Sequence, residues 1–136
     1  MKKIFFLLLV IISGEISAQV TDSLKTSNSP KEILVNPEVL PEYPGGTQAL
    51  YTFLAKNIKY PKTAKKKKIE GTVYVKFIVD EDGDVINPVV IKGIGGGCDE
   101  EVIRVVNLMP KWTPGEQFGK KAAVYYTLPC KFSLNK

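Results

Sequence analysis

The 136-residue chain contains no histidine. That removes the commonest general base and the commonest zinc ligand together. It has two cysteines and no Cys-X-X-Cys pair, so it carries no sequence-adjacent dithiol for redox work. No apolar run approaches the ~20 residues that a membrane-spanning helix needs; Ile4–Ile12 is nine residues long. The glycine-rich stretch Gly93–Gly97 lacks the following Lys and Ser/Thr of a phosphate-binding loop and reads as a strand-to-helix connection. The acidic run Asp80–Asp84 lacks the frame and terminal Glu of an EF-hand and reads as a solvated turn. With no nucleophile–base pair, metal cluster or cofactor loop, the chain is expected not to be an enzyme and to need neither cofactor nor metal. What remains is an ordinary globular composition, 44% apolar and 24% charged with a formal charge of +5, enough for one domain. The lysine run Lys65–Lys68 points in all directions on a short helix, so a solvated surface is expected rather than nucleic-acid binding.

Met1–Ala18 has the form of a secretory signal peptide. Lys2 and Lys3 precede the apolar Ile4–Ile12, and Ser17-Ala18 offers a small-residue cleavage site with a mature start at Gln19. Export places the mature chain in an oxidising compartment; an uncleaved leader would instead hold it at a membrane. Gln19–Asn36 is polar and aperiodic and is expected to be a flexible lead-in. The folded domain is then 37–136, with Pro37, Pro41 and Pro44 stiffening its entry.

Thr47 is placed to cap a helix running to about Asn57, with Leu50, Phe53, Leu54 and Ile58 on one face. Pro61 opens a second, shorter helix. Val73, Val75, Phe77 and Val79 alternate with Thr72, Tyr74, Lys76 and Ile78, a strand period, and Asp82-Gly83 supplies a hairpin turn into a second strand. A helix follows from about Cys98 to Met109, with acidic residues in its first turn and Pro110 as its stop. The last strand is about Ala122–Ser133, with Val124, Tyr126, Leu128, Cys130 and Phe132 facing the core. Pro88 and Pro129 suit edge strands, and the first strand has no proline, so it belongs in the centre. The expected fold is α+β, a ββαβ arrangement whose three-stranded antiparallel sheet runs in the order 2-1-3. A helix covers one face and short helices precede it. This layout brings Cys98 and Cys130 toward each other across the core and predicts a disulfide closing a loop of roughly 30 residues, worth about 3–4 kcal/mol.

A succession of motifs then points to one family: Pro44-Gly45-Gly46; Asn57 followed by Tyr60-Pro61; Ile69-Glu70-Gly71-Thr72-Val73; Asp80 to Gly83; Gly93 to Glu101; Met109-Pro110-Lys111-Trp112-Thr113-Pro114-Gly115; and Leu128-Pro129 with Phe132. In this order and spacing, from about Pro41 to Leu134, the chain resembles the C-terminal domain of TonB energy transducers. The resemblance implies a periplasmic interaction module for transmembrane transport. Its partner would be an outer-membrane TonB-dependent receptor, which offers an extended TonB box peptide as an added strand. The residues reach the same surface independently, because an edge strand is a template for strand addition. That edge is about Ala123–Lys131, with Ala123, Tyr125, Thr127 and Lys131 as contact residues and pairing expected mainly along Ala123–Leu128. Asn57, Ile58 and Lys59 match a family region that also touches the receptor. The same edge offers a route to a homodimer. TonB proper carries an uncleaved inner-membrane helix and a long proline-rich spacer. This chain shows neither, so a stand-alone binder is the expectation, with a membrane-anchored transducer on a short tether as the alternative.

Overall fold

A computed structural model describes residues 32–134. The signal peptide expected at Met1–Ala18 and most of the lead-in expected at Gln19–Asn36 lie outside the described residues. The compact unit starts at Ile33, four residues before Pro37. Its elements in chain order are α1 (Gly46–Asn57), α2 (Lys62–Lys67), β1 (Gly71–Val79), β2 (Val85–Lys92), α3 (Cys98–Val106), β3 (Gly115–Gln117), β4 (Lys120–Ala122) and β5 (Val124–Phe132).

The main sheet is antiparallel in the order β2-β1-β5, so the proline-free strand is central, as the sequence predicts. Pro88 and Pro129 fall on its two edges. Val73, Val75, Phe77 and Val79 are all 0% exposed and form one face of β1. Cys98, Val102, Val105 and Val106 of α3 and Leu50 and Leu54 of α1 complete the core over that face. Phe77 is its largest fully buried side chain, and such a burial contributes about 1.5–3 kcal/mol. Its ring stacks on Tyr126 with centroids 5.5 Å apart and meets Trp112 edge-on at 5.5 Å. Trp112 is thus a core residue that ties the chain after α3 to both β1 and β5.

Local details differ from the sequence reading, each for a physical reason. Helix α1 begins one residue before Thr47, after Gly45 in the left-handed region at φ 90°, and no side chain caps it. The Pro-Gly-Gly turn sets the helix start in place of a hydroxyl cap. Helix α3 ends at Val106, short of Met109, and Asn107 closes it by donating to the Ile103 carbonyl at 3.1 Å. The turn after β1 is a five-residue loop, 80–84, in place of a two-residue turn. The Asp80 carboxylate accepts the N–H groups of Asp82 and Asp84, both at 2.9 Å. Gly83 is required there: its φ is 88°, and a Cβ would stand 2.1 Å from the Trp112 carbonyl oxygen. Residues 115–122 form a small hairpin of their own, β3 paired with β4.

The segment before α1 is tied to that hairpin. Val39 exchanges both backbone hydrogen bonds with Glu116 at 3.0 and 2.9 Å, and Glu42 does so with Thr113 at 2.9 and 2.8 Å. Leu34 forms a parallel bridge at Val124, the first residue of β5.

Candidate functional site

Strand β5 pairs with β1 in unbroken register over nine residues, from Gly71↔Phe132 to Val79↔Val124. In an antiparallel pair, alternate residues aim both backbone groups at the partner and the rest aim them away. The Tyr125 N–H is used by Leu34, on the side away from β1, at 2.9 Å. Tyr125, Thr127, Pro129 and Lys131 therefore present their backbone groups to the outer edge. Pro129 sits where its missing N–H subtracts nothing from the β1 ladder and removes one donor from the edge.

Along its second half this edge borders a groove of about 590 Å³, formed by Pro129–Phe132 with Tyr51, Leu54, Ile58 and Tyr60. Tyr60 stands edge-on to Phe132 at 5.5 Å, and its hydroxyl donates to the Ile69 carbonyl, so the groove has a rigid end. Burial pushes the Tyr60 phenol above its ordinary pKa, helped by neighbouring Cys98 and Glu70, so it stays a neutral donor. Tyr74 of β1 also reaches the groove.

The residues selected from sequence occupy four places. Ile58 and Lys131 line the groove together. Thr127 lies outside its lining, on the exposed edge toward the strand's start. Ala123 and Tyr125 lie at the far end of the edge, where Leu34 bonds to the Ala123 carbonyl and the Tyr125 N–H. Tyr125 also packs under Lys76, whose ammonium is 4.2 Å from the ring centroid. Asn57 and Lys59 flank Ile58 and are held from α3. The Arg104 guanidinium donates to the Asn57 carbonyl at 2.9 Å, and the Lys59 N–H donates to the Glu101 carboxylate at 2.7 Å. Arg104 and Glu101 are themselves paired at 2.7 Å. The hydrogen bonds from Arg104, with a smaller part from the Lys59 N–H, hold the Glu101 carboxyl below its ordinary pKa against the opposing effect of burial.

Besides the other groove-lining residues, Leu34, Glu101 and Arg104 shape the site although the sequence did not single them out for it. Leu34 had a signal, since Ile33-Leu34-Val35 is an apolar trio in an otherwise polar stretch. Glu101 and Arg104 form an ordinary i,i+3 pair on a helix, and nothing local in the sequence shows that it grips another segment.

The other candidates settle into structural roles. The Asp99 carboxylate accepts the N–H groups of Ile94 at 2.9 Å and Gly95 at 3.3 Å, filling the concavity of the glycine-rich loop with the chain's own anion. A Cβ at Gly93 would lie 2.1 Å from that carboxylate. Carboxylates of Asp80, Asp82 and Asp84 approach within 4.8 Å of one another, and Lys111 pairs with Asp84 at 3.1 Å. Cys98 and Cys130 are buried free thiols and not the predicted disulfide. Burial pushes Cys130 up to about 11 and raises Cys98, which three neighbouring carboxylates raise further. Both thiols are therefore weaker nucleophiles than an exposed cysteine.

Two solution structures of the Helicobacter pylori TonB C-terminal domain are similar, each at 26% identity over 65% of this chain. They are covered to 80% and 94% of their own lengths, with TM-scores of 0.49 and 0.47. No curated protein matches the chain. No helix among the described residues is long and apolar enough to cross a membrane. Residues 56–134 match the family described as the Gram-negative bacterial TonB protein C-terminal, which takes part in TonB-dependent transport. That match spans α2 to β5, the whole sheet and the groove wall from Ile58 onward, and on it the chain belongs to the TonB C-terminal family.

Proposed function

We propose that this domain is a periplasmic interaction module that binds an outer-membrane TonB-dependent receptor by accepting an extended receptor segment as a strand beside β5. The observation that carries the reading is the edge itself. It is regular and backed by nine paired residues, and it opens on an apolar groove shared by β5 and α1. Family membership supports the class of partner. In this reading Thr127 and Lys131 donate and accept along the added strand, and Ile58 and Tyr60 receive its inward side chains. The Asn57–Lys59 segment forms the rim, held in place by Glu101 and Arg104. Pairing is centred on Thr127–Lys131, since Leu34 already takes part of the stretch Ala123–Leu128.

In-cell photo-crosslinking from Thr127, with Val89 on the opposite edge as control, tests this. Capture of an outer-membrane receptor through its extended N-terminal segment, from Thr127 alone, is the expected result. Capture of a second copy would assign the edge to self-association. Capture of neither by a folded, abundant protein would overturn the reading.

A further inference from the structure

Leu34 reaches β5 through two hydrogen bonds. Its N–H donates to the Ala123 carbonyl and its carbonyl accepts from the Tyr125 N–H, both at 2.9 Å. The bridge is parallel and isolated, one residue long. Val35 and Asn36 then bend away, and the chain is secured further on by Val39 against Glu116 and by Glu42 against Thr113. The Glu38 carboxylate strengthens that anchorage by accepting the Phe118 N–H at 2.6 Å. The segment is therefore firmly held from Glu38 onward, and among the described residues before it one point, Leu34, meets the sheet edge. An isolated bridge at the end of a segment gains none of the cooperativity of a ladder, so it is the first part of the edge to open.

We propose that Leu34 is an intramolecular occupant of the docking edge: it covers Ala123 and Tyr125 and limits an incoming strand to Thr127–Lys131 until a longer strand displaces it. This rests on the strand-addition reading and adds to it a rule about length. A short partner segment seats in the groove and leaves Leu34 in place. A longer one competes with Leu34 for the Ala123 carbonyl and the Tyr125 N–H, and success frees the chain on the N-terminal side of Glu38. The partner is thus read by the number of its backbone groups as well as by its side chains, and binding of a long one is linked to release of Leu34 from the edge.

Amide exchange on the full chain tests the occupancy without any partner. The Tyr125 N–H is expected to be at least tenfold more protected than the Thr127 N–H. In Leu34→Pro, which lacks the donor to Ala123, Tyr125 should exchange about as fast as Thr127, with Val75 in the core strand unchanged. Equal exchange of Tyr125 and Thr127 in the unaltered protein would overturn the proposal. The second readout is the affinity of a synthetic peptide that copies the receptor segment captured from Thr127 and is long enough to pair from Lys131 back to Ala123. Two regained edge hydrogen bonds predict about tenfold tighter binding to Leu34→Pro, and equal affinity would overturn the competition. If no receptor is captured, the strand-addition reading fails, and Tyr125 protection alone still decides whether Leu34 covers the edge.

Discussion

The sheet has two edges, and they are unlike. Strand β2 meets β1 through two register irregularities, one between Tyr74 and Val75 and one between Lys76 and Ile78. Asn87 takes a left-handed φ of 52°, and Pro88 follows it. A bulged, kinked strand with a proline presents no continuous row of donors and acceptors, which is how natural sheets blunt an edge. Its apolar side chains remain in solvent all the same, with Val89 57% and Ile91 55% exposed. Strand β5 is straight in register from end to end, and its one proline faces outward. Exposed apolar area is thus greater on β2, while ladder geometry is intact only on β5. Backbone regularity, more than hydrophobic exposure, marks the edge fit for strand addition.

The largest expected effect abolishes the comparison. Phe77→Ala removes the ring that holds β1 to Tyr126 and Trp112 and should destabilise the domain by about 3–5 kcal/mol, read by denaturant unfolding. Both edges would then be lost together. Thr127→Pro is sharper. It deletes the central outward N–H of β5 and should weaken receptor capture tenfold or more while the melting temperature stays close to the parent's. Loss of fold in this variant would mean that the Thr127 N–H serves the sheet. The reverse change, Pro129→Val, restores the absent edge donor and should tighten a bound strand by about 0.5–1.5 kcal/mol, a net hydrogen bond, measured by titration calorimetry.

Glu101→Gln weakens the grip on Lys59 and Arg104 and should cost about 1 kcal/mol, with exchange accelerated at the Lys59 amide and no change at Thr127. The pH dependence has a definite sign. The Glu101 carboxyl is depressed in the folded protein by Arg104 first and the Lys59 N–H second. Its stabilisation is therefore fully present above the ordinary Glu value of about 4.3 and is lost as pH falls through the lowered folded pKa. The smallest effect concerns the β3–β4 tip, where Phe118 is 80% exposed at φ 53°. A bulky residue is strained there, and Asn-Gly is the pair that such a turn favours. Phe118→Asn should raise stability by about 0.5–1 kcal/mol, seen as a higher melting temperature, and leave both edges as they are.

Much of this was legible in the chain. The period-two pattern of Val73 to Val79 carries its own burial, because a pleated strand sends alternate side chains to opposite faces. Two prolines assign the edges, because proline lacks the donor that a central strand needs. The α+β class and the strand order follow from such local rules, and the family from the resemblance carried by its ordered motifs. The start of α1 was misread because a glycine turn in the left-handed region can begin a helix as well as a hydroxyl cap can. The β3–β4 hairpin was missed because Phe118-Gly119 is not a favoured turn pair, and its ties to Val39 and Glu42 are non-local. The sequence places Cys98 and Cys130 on facing elements, and both are buried, unbonded thiols in the core.

The sequence by itself determined which strand is central, which strands are edges and which face of each is apolar, since these depend on residue type and spacing within one segment. Only the tertiary structure decided which edge is usable and how much of it is open. Leu34 meets β5 across some ninety residues of chain, and Glu101 and Arg104 grip Asn57 and Lys59 across more than forty. Contacts between segments so far apart are set by how the elements pack around Phe77 and Trp112, and no local pattern of residues encodes them.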